Sequence, residues 1–126
     1  MVALSMAGPA AAESWRAFPT AATNALFSVD EESLVREGDK VTFWERLVFV
    51  TPFQRDEGSG KKVKEKRVHR VMNCADKTQG HLYGSLLAED GALIEAIAID
   101  AADIKMTPVP ADTLAEQELT WACAAK

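Results

Sequence analysis

The sequence has few of the residues that carry catalysis, and no segment that could span a membrane. Its 126 residues include two histidines, one tyrosine and two cysteines, and no window approaches the roughly 18 uninterrupted apolar residues of a membrane span. Neither His69 nor His81 lies in a nucleophile elbow or a triad segment, and the acidic residues are scattered rather than paired. We therefore expect neither enzymatic activity nor a cofactor nor a transmembrane helix.

The first twelve residues are apolar and rich in alanine, but they lack the Lys or Arg of a signal-peptide start. We interpret residues 1–12 as a signal-peptide remnant or a disordered tail, and residues 13–126 as a single domain. Because no cysteine directly follows the tail, we expect no lipid attachment site there. A domain of this length buries roughly two thirds of the surface of its unfolded chain, which allows a core without a metal.

The two cysteines, Cys74 and Cys123, lie far apart in the chain. Beside an export-like N-terminus they predict a structural disulfide in an oxidising compartment, either the periplasm or the cell exterior and surface. The alternative is two free thiols in a metal site, but C-x-x-C is absent and His69 and His81 are loosely spaced around Cys74. The bridge would close a loop of about 50 residues, which is worth about 4 kcal/mol in the chain-entropy model.

Alternation of apolar side chains predicts several strands. Residues 41–51 give the strongest signal, and because both of their faces are largely apolar we expect a central strand. Pro52 is expected to end it, and residues 62–74 to return as a basic strand of a long hairpin that projects from the core. Shorter strands are predicted over residues 15–18, 25–29, 81–87 and 92–99, with a capped helical turn after Asp30.

Residues 113–124 follow two prolines and predict a closing helix with Asp112 as its N-cap. Together these elements predict an α+β fold, in which an antiparallel sheet of about five to six strands packs against a C-terminal helix and carries one disulfide. Trp15, Trp44 and Trp121 suit either a face that stacks on a ligand or the core, and a small β domain favours the core.

Positive charge is concentrated in residues 55–70, although the net charge is −5. Seven of the 14 cationic residues fall there: Arg55, Lys61, Lys62, Lys64, Lys66, Arg67 and Arg70. Such a stretch either steers an acidic partner or is a charged strand that faces solvent. It lacks the interleaved aromatics that stack bases, which argues against nucleic acid. A sulfated glycan, an anionic lipid head group or an acidic protein segment fits the stretch better.

A family resemblance rests on single landmark residues and their order along the chain. The landmarks are Trp15, Val29, Asp30, Ser33, Gly38, the strand at 41–48 with Trp44, Cys74, Tyr83, Asp90, Gly91, Pro108, Pro110 and Cys123. In this order they resemble the bacterial surface-adhesin protein E family over nearly the whole chain after residue 13. The resemblance implies an exported protein with a bridged cysteine pair, an antiparallel sheet and a terminal helix, and it carries no catalytic residues.

The best-known adhesin of that family binds host laminin, vitronectin and plasminogen and tends to form a homodimer, and the resemblance implies similar properties. We therefore expect a non-enzymatic, adhesin-like binding protein of the bacterial envelope. Its basic hairpin would contact extracellular-matrix or other acidic partners. The alternatives are a periplasmic inhibitor, for instance of lysozyme, that acts through the loop at residues 58–61, and a structural envelope protein.

Overall fold

The computed structural model describes residues 14–19, 24–54 and 61–124, which form one antiparallel sheet with a helix packed on one side. The α+β class is confirmed. In chain order the elements are β1 (Trp15–Phe18), β2 (Ala25–Asp30), a 3₁₀ turn (Glu31–Ser33), β3 (Val35–Glu37), β4 (Lys40–Gln54), β5 (Lys62–Asn73), β6 (Thr78–Ala88), β7 (Leu93–Ala98), a second 3₁₀ turn (Ala101–Asp103), β8 (Thr107–Pro108) and α1 (Leu114–Ala124).

Within the described residues the sheet has eight strands, so the prediction of five to six is too low. Six of them follow the order β1-β2-β4-β5-β6-β7, and the other two lie off this path, where β3 pairs with β4 and β8 pairs with β6. The two additional strands contain three and two residues. Segments this short show no alternation of apolar side chains, which is why the sequence pattern does not reveal them.

Strand β4 is central, as its two apolar faces predict, but Pro52 does not end it. The strand continues to Gln54, and its pairing with β5 shifts between Val48 and Phe53. Proline lacks an N–H group and is tolerated where the ladder of hydrogen bonds is interrupted. The irregularity therefore accommodates Pro52 within the strand.

The β4–β5 hairpin extends past the strands on its β2 side. Pairing with β2 stops at Phe49, whereas β5 keeps its pairing with β6 as far as Val63, opposite Ala88. Among the described strands, the end of the hairpin is thus flanked by β6 alone. Residues 55–60, including the predicted contact residue Arg55, lie outside the described residues, as do residues 1–12.

The face of the sheet that α1 covers, here called the inner face, holds the core. Val41 and Phe43 of β4 are fully buried, and Trp121 of α1 meets the ring of Phe43 edge-on at 5.1 Å. Alternation along the strands places the neighbouring side chains on the opposite, outer face. The buried cluster comprises Phe18, Phe27, Val29, Val41, Phe43, Met72, Leu119 and Ala122.

Helix α1 is fixed at both ends. Its N-cap is Thr113, whose Oγ1 accepts from the backbone N–H of Glu116 at 3.3 Å, while Glu116 Oε1 accepts from the N–H of Asp112 at 3.0 Å. The prediction of Asp112 as the cap is therefore wrong by one residue, and Asp112 itself has a φ of 63°. At the other end Cys123 is bonded to Cys74, and their Cα atoms lie 5.8 Å apart.

Candidate functional site

The cations of the basic stretch do not form one surface, because successive residues of a strand point to opposite faces. Lys66 pairs with Leu47 and Arg70 with Phe43, so both lie on the inner face. Arg67 pairs with Arg46 on the outer face. These cations are close together in the sequence, but the sheet places them on opposite faces.

Arg70 is committed to an internal ion pair. Its Nε and Nη2 atoms donate to the two carboxylate oxygens of Glu45, and Nη1 donates to Gln79 Oε1 at 2.6 Å. The side chains of Arg70 and Glu45 are 12% and 8% exposed, so the pair is shielded from solvent. Removing one partner from such a pair leaves an uncompensated charge, which typically costs about 3–5 kcal/mol. Arg70 therefore stabilises the fold and is not available to a partner.

Arg67 lies in a cation–π cluster on the outer face. Its guanidinium forms an ion pair with Glu65 and lies 5.6 Å from the ring centre of Trp15, and Arg46 lies over the same ring at 4.2 Å. Arg46 also donates to Ser28 Oγ at 3.4 Å. A guanidinium on an indole is worth about 0.5–1 kcal/mol at a solvent-accessible site, so the cluster helps to hold β1 on the sheet.

A second aromatic cluster crosses three strands of the outer face. Trp44 stacks on His69 with ring centres 4.7 Å apart and an interplanar angle of 5°, and it meets Tyr83 at 5.7 Å. Burial lowers the pKa of His69, so the ring is neutral at pH 7. The ring of His69 is half-buried in this stack. Of the three tryptophans only Trp121 packs against the core.

Four lysines lie on β5 or directly before it, from the open end of the hairpin to the position opposite Leu47, and we call them the lysine arm: Lys61, Lys62, Lys64 and Lys66. Lys61, Lys62 and Lys66 are exposed, while Lys64 is half-buried with its Nζ 3.5 Å from the carbonyl oxygen of Val50. The acidic β6–β7 turn is close to the arm, since Glu89 and Asp90 line one recess with the first two lysines. The positive charge is thus partly compensated locally.

The sequence predicts neither the ion pair of Glu45 and Arg70 nor the contact of Glu118 with it. Glu45 and Arg70 each stand among apolar inward positions of their strands, which indicates buried charges. The pattern does not show that they pair, because 25 residues separate them. Glu118 of α1 joins them, with its Oε2 atom 3.9 Å from Arg70 Nε. A single sequence does not show that three such residues meet.

Within the described ranges, no set of three or more His, Cys, Asp or Glu side chains is arranged to hold a metal. In the same part of the chain no helix combines the length and apolar character needed to cross a bilayer. Of the loop at residues 58–61 on which the inhibitor alternative depended, only Lys61 is described.

The model of one protein family, the surface-adhesin protein E family, matches residues 15–124. The chain belongs to that family. Solved structures of Haemophilus influenzae protein E have the same fold. One crystal form has a TM-score of 0.60 at 15% identity over 78% of this chain and 80% of that chain. The protein from a non-typeable strain has a TM-score of 0.58 at 15% identity, over 78% and 69% respectively. No curated protein matches the chain.

Proposed function

We propose that this member of the surface-adhesin protein E family is a non-enzymatic binding protein of the bacterial envelope, and that it contacts an acidic partner through the lysine arm. The observation that carries the proposal is the exposure of Lys61 and Lys62 at the open end of the hairpin and of Lys66 further along β5. Ammonium groups on such an extension are accessible to an extended polyanion, and long-range attraction raises its rate of encounter. The partner class is a sulfated glycan or an acidic segment of an extracellular-matrix protein.

Export to the periplasm or to the cell surface forms part of the proposal. The Cys74–Cys123 bond supports it, because disulfides persist in oxidising compartments and are rare in the cytosol. A non-enzymatic role is supported by membership of the surface-adhesin protein E family and by the stacking of the His69 ring on Trp44.

The test is chromatography of the folded protein on heparin, a sulfated glycan. The charge-reversal variant K62E/K64E/K66E changes the lysine arm, and we expect it to elute at much lower salt than the wild type. The matched control K40E/K77E/K105E alters net charge equally at three exposed lysines elsewhere, and it should elute close to the wild type. Equal retention of the lysine-arm variant and the wild type would refute the proposed contact surface.

A further inference from the structure

A cleft of about 490 Å³ lies between the inner face and the N-terminal half of α1. One wall is apolar and is formed by Phe27, Leu47 and Leu114, and the other wall holds the ion pair of Arg70 and Glu45. Glu118 joins the polar wall from the helix. A cavity with apolar walls and a few convergent polar groups is the usual form of a small-molecule site.

Glu118 is the residue of this cleft whose bonding is incomplete. Its side chain is 3% exposed, and its Oε2 atom is buried without a hydrogen-bond partner among the described residues. The nearest cation is Arg70, but the guanidinium directs its N–H groups to Glu45 and Gln79. Buried polar groups of native proteins are normally satisfied. The polar wall thus has two carboxyl groups and one guanidinium, and among the described residues no N–H group donates to Glu118 Oε2.

The remaining titratable groups of the cleft do not supply that donor. Burial, followed by the charge of Arg70, lowers the pKa of His81, so its ring is neutral at pH 7. Lys105 lines the cleft, but its side chain is exposed and its charge stays in solvent. Within the described residues no further cation is directed at Glu118, so an ammonium that pairs with its ionised form comes from a ligand.

We propose that this cleft binds a small ligand with one primary ammonium group on an apolar arm. The ammonium donates to Glu118, and the arm lies along the wall of Phe27, Leu47 and Leu114. The site is separate from the lysine arm and does not depend on the function proposed for it. An ammonium group fits because it is a compact donor of three hydrogen bonds, whereas the planar fork of a guanidinium duplicates the geometry that Arg70 already occupies.

Binding is coupled to the release of a proton. Burial, followed by the charge of Glu45, raises the pKa of Glu118 to about 10, so the empty cleft keeps this carboxyl neutral at pH 7. When the ligand ammonium pairs with the carboxylate, the carboxylic proton passes to the solvent and the ligand keeps its own. Affinity then rises about tenfold per pH unit around neutrality, because each binding event releases one proton.

Isothermal titration calorimetry with n-hexylamine tests the proposal, with n-hexanol as the uncharged probe of equal chain length. Titrations in phosphate and in HEPES, whose ionisation enthalpies differ, report the number of protons released. We expect saturable binding of hexylamine, about one proton released per ligand, tighter binding at higher pH, and much weaker binding of hexanol. Absence of hexylamine binding, absence of proton release, or equal binding of hexanol would each overturn it.

Two variants separate the site from general effects on the fold. E118Q keeps the size of the side chain but cannot ionise to the carboxylate that pairs with the ammonium, and we expect it to lose hexylamine binding and proton release together. E116Q changes an exposed carboxylate of the same helix and keeps the oxygen that accepts from Asp112, so it should bind like the wild type. Unchanged binding by E118Q would assign the amine to another site and refute the proposal.

Discussion

Replacement of Glu118 by Gln should stabilise the protein at neutral and alkaline pH. The folded state holds this carboxyl protonated, since burial raises its pKa from 4.5 to about 10. The unfolded chain ionises it near its ordinary pKa. Folding above that pH therefore requires the uptake of one proton, and the amide of Gln removes this requirement while it keeps the volume of the side chain.

The sign and size of the effect follow from this linkage. A folded-state pKa above the unfolded one gives stability that is fully present below the unfolded pKa and is lost as the pH rises through the folded one. The window here runs from about pH 4.5 to about pH 10. Within it the free energy of unfolding of the wild type falls by about 1.4 kcal/mol per pH unit relative to E118Q. Between about pH 5 and about pH 8 the difference between the two proteins should change by about 4 kcal/mol.

Urea unfolding followed by tryptophan fluorescence, repeated at intervals over this pH range, measures the difference. The free energy of unfolding of E118Q should exceed that of the wild type at pH 8, and the two values should converge towards pH 5. E116Q provides the control, because Glu116 is exposed on the same helix, and its curve should run parallel to the wild type. Parallel curves for E118Q and the wild type would show that Glu118 ionises in the folded protein, and the assignment of its proton would be wrong.

Three further outcomes are expected. Replacement of Cys74 and Cys123 by Ala should lower the free energy of unfolding by about 2–5 kcal/mol in urea titrations and leave heparin retention of the folded fraction unchanged; loss of retention would place α1 in the binding surface. The variant E89Q/D90N should elute from heparin at higher salt, because both acids share a recess with the lysine arm, and earlier elution would contradict that local compensation. F43A should cost about 3–5 kcal/mol, because Phe43 is fully buried against Trp121, and a loss below about 1 kcal/mol in urea unfolding would contradict that packing.

The central hairpin and the closing helix could be predicted from the sequence because their signals are local. Alternation along β4 separates inward Phe43 from outward Trp44, and the pattern needs no knowledge of other strands. The continuation of β4 past Pro52 could not be predicted in this way, since it depends on a shift in the pairing with β5. The N-cap had a local signal as well, because Thr113 and Glu116 have the spacing of a capping box.

The contents of the candidate sites were harder to predict because they depend on contacts between distant residues. Arg67 was grouped with the other cations, but its neighbours on the outer face are Glu65 and Trp15, and Trp15 lies 52 residues earlier in the chain. Arg70 belonged to the same run, and its charge is matched by Glu45 in the interior. The sequence of a strand gives the number of its cationic residues. Which of them are exposed to solvent depends on the register with the neighbouring strands.

The register of β4 and β5 is specified by two unlike pairs at adjacent positions. Phe43 lies opposite Arg70 and Trp44 lies opposite His69, so the charge that pairs with Glu45 and the ring that stacks on Trp44 face opposite sides of the sheet. A slip of one residue would turn Arg70 outward and His69 inward, which breaks both contacts at once. Because β4 is largely apolar on both faces, burial of apolar surface alone would discriminate poorly against such a slip. The ion pair and the aromatic stack therefore select one alignment of the hairpin among several of similar hydrophobicity.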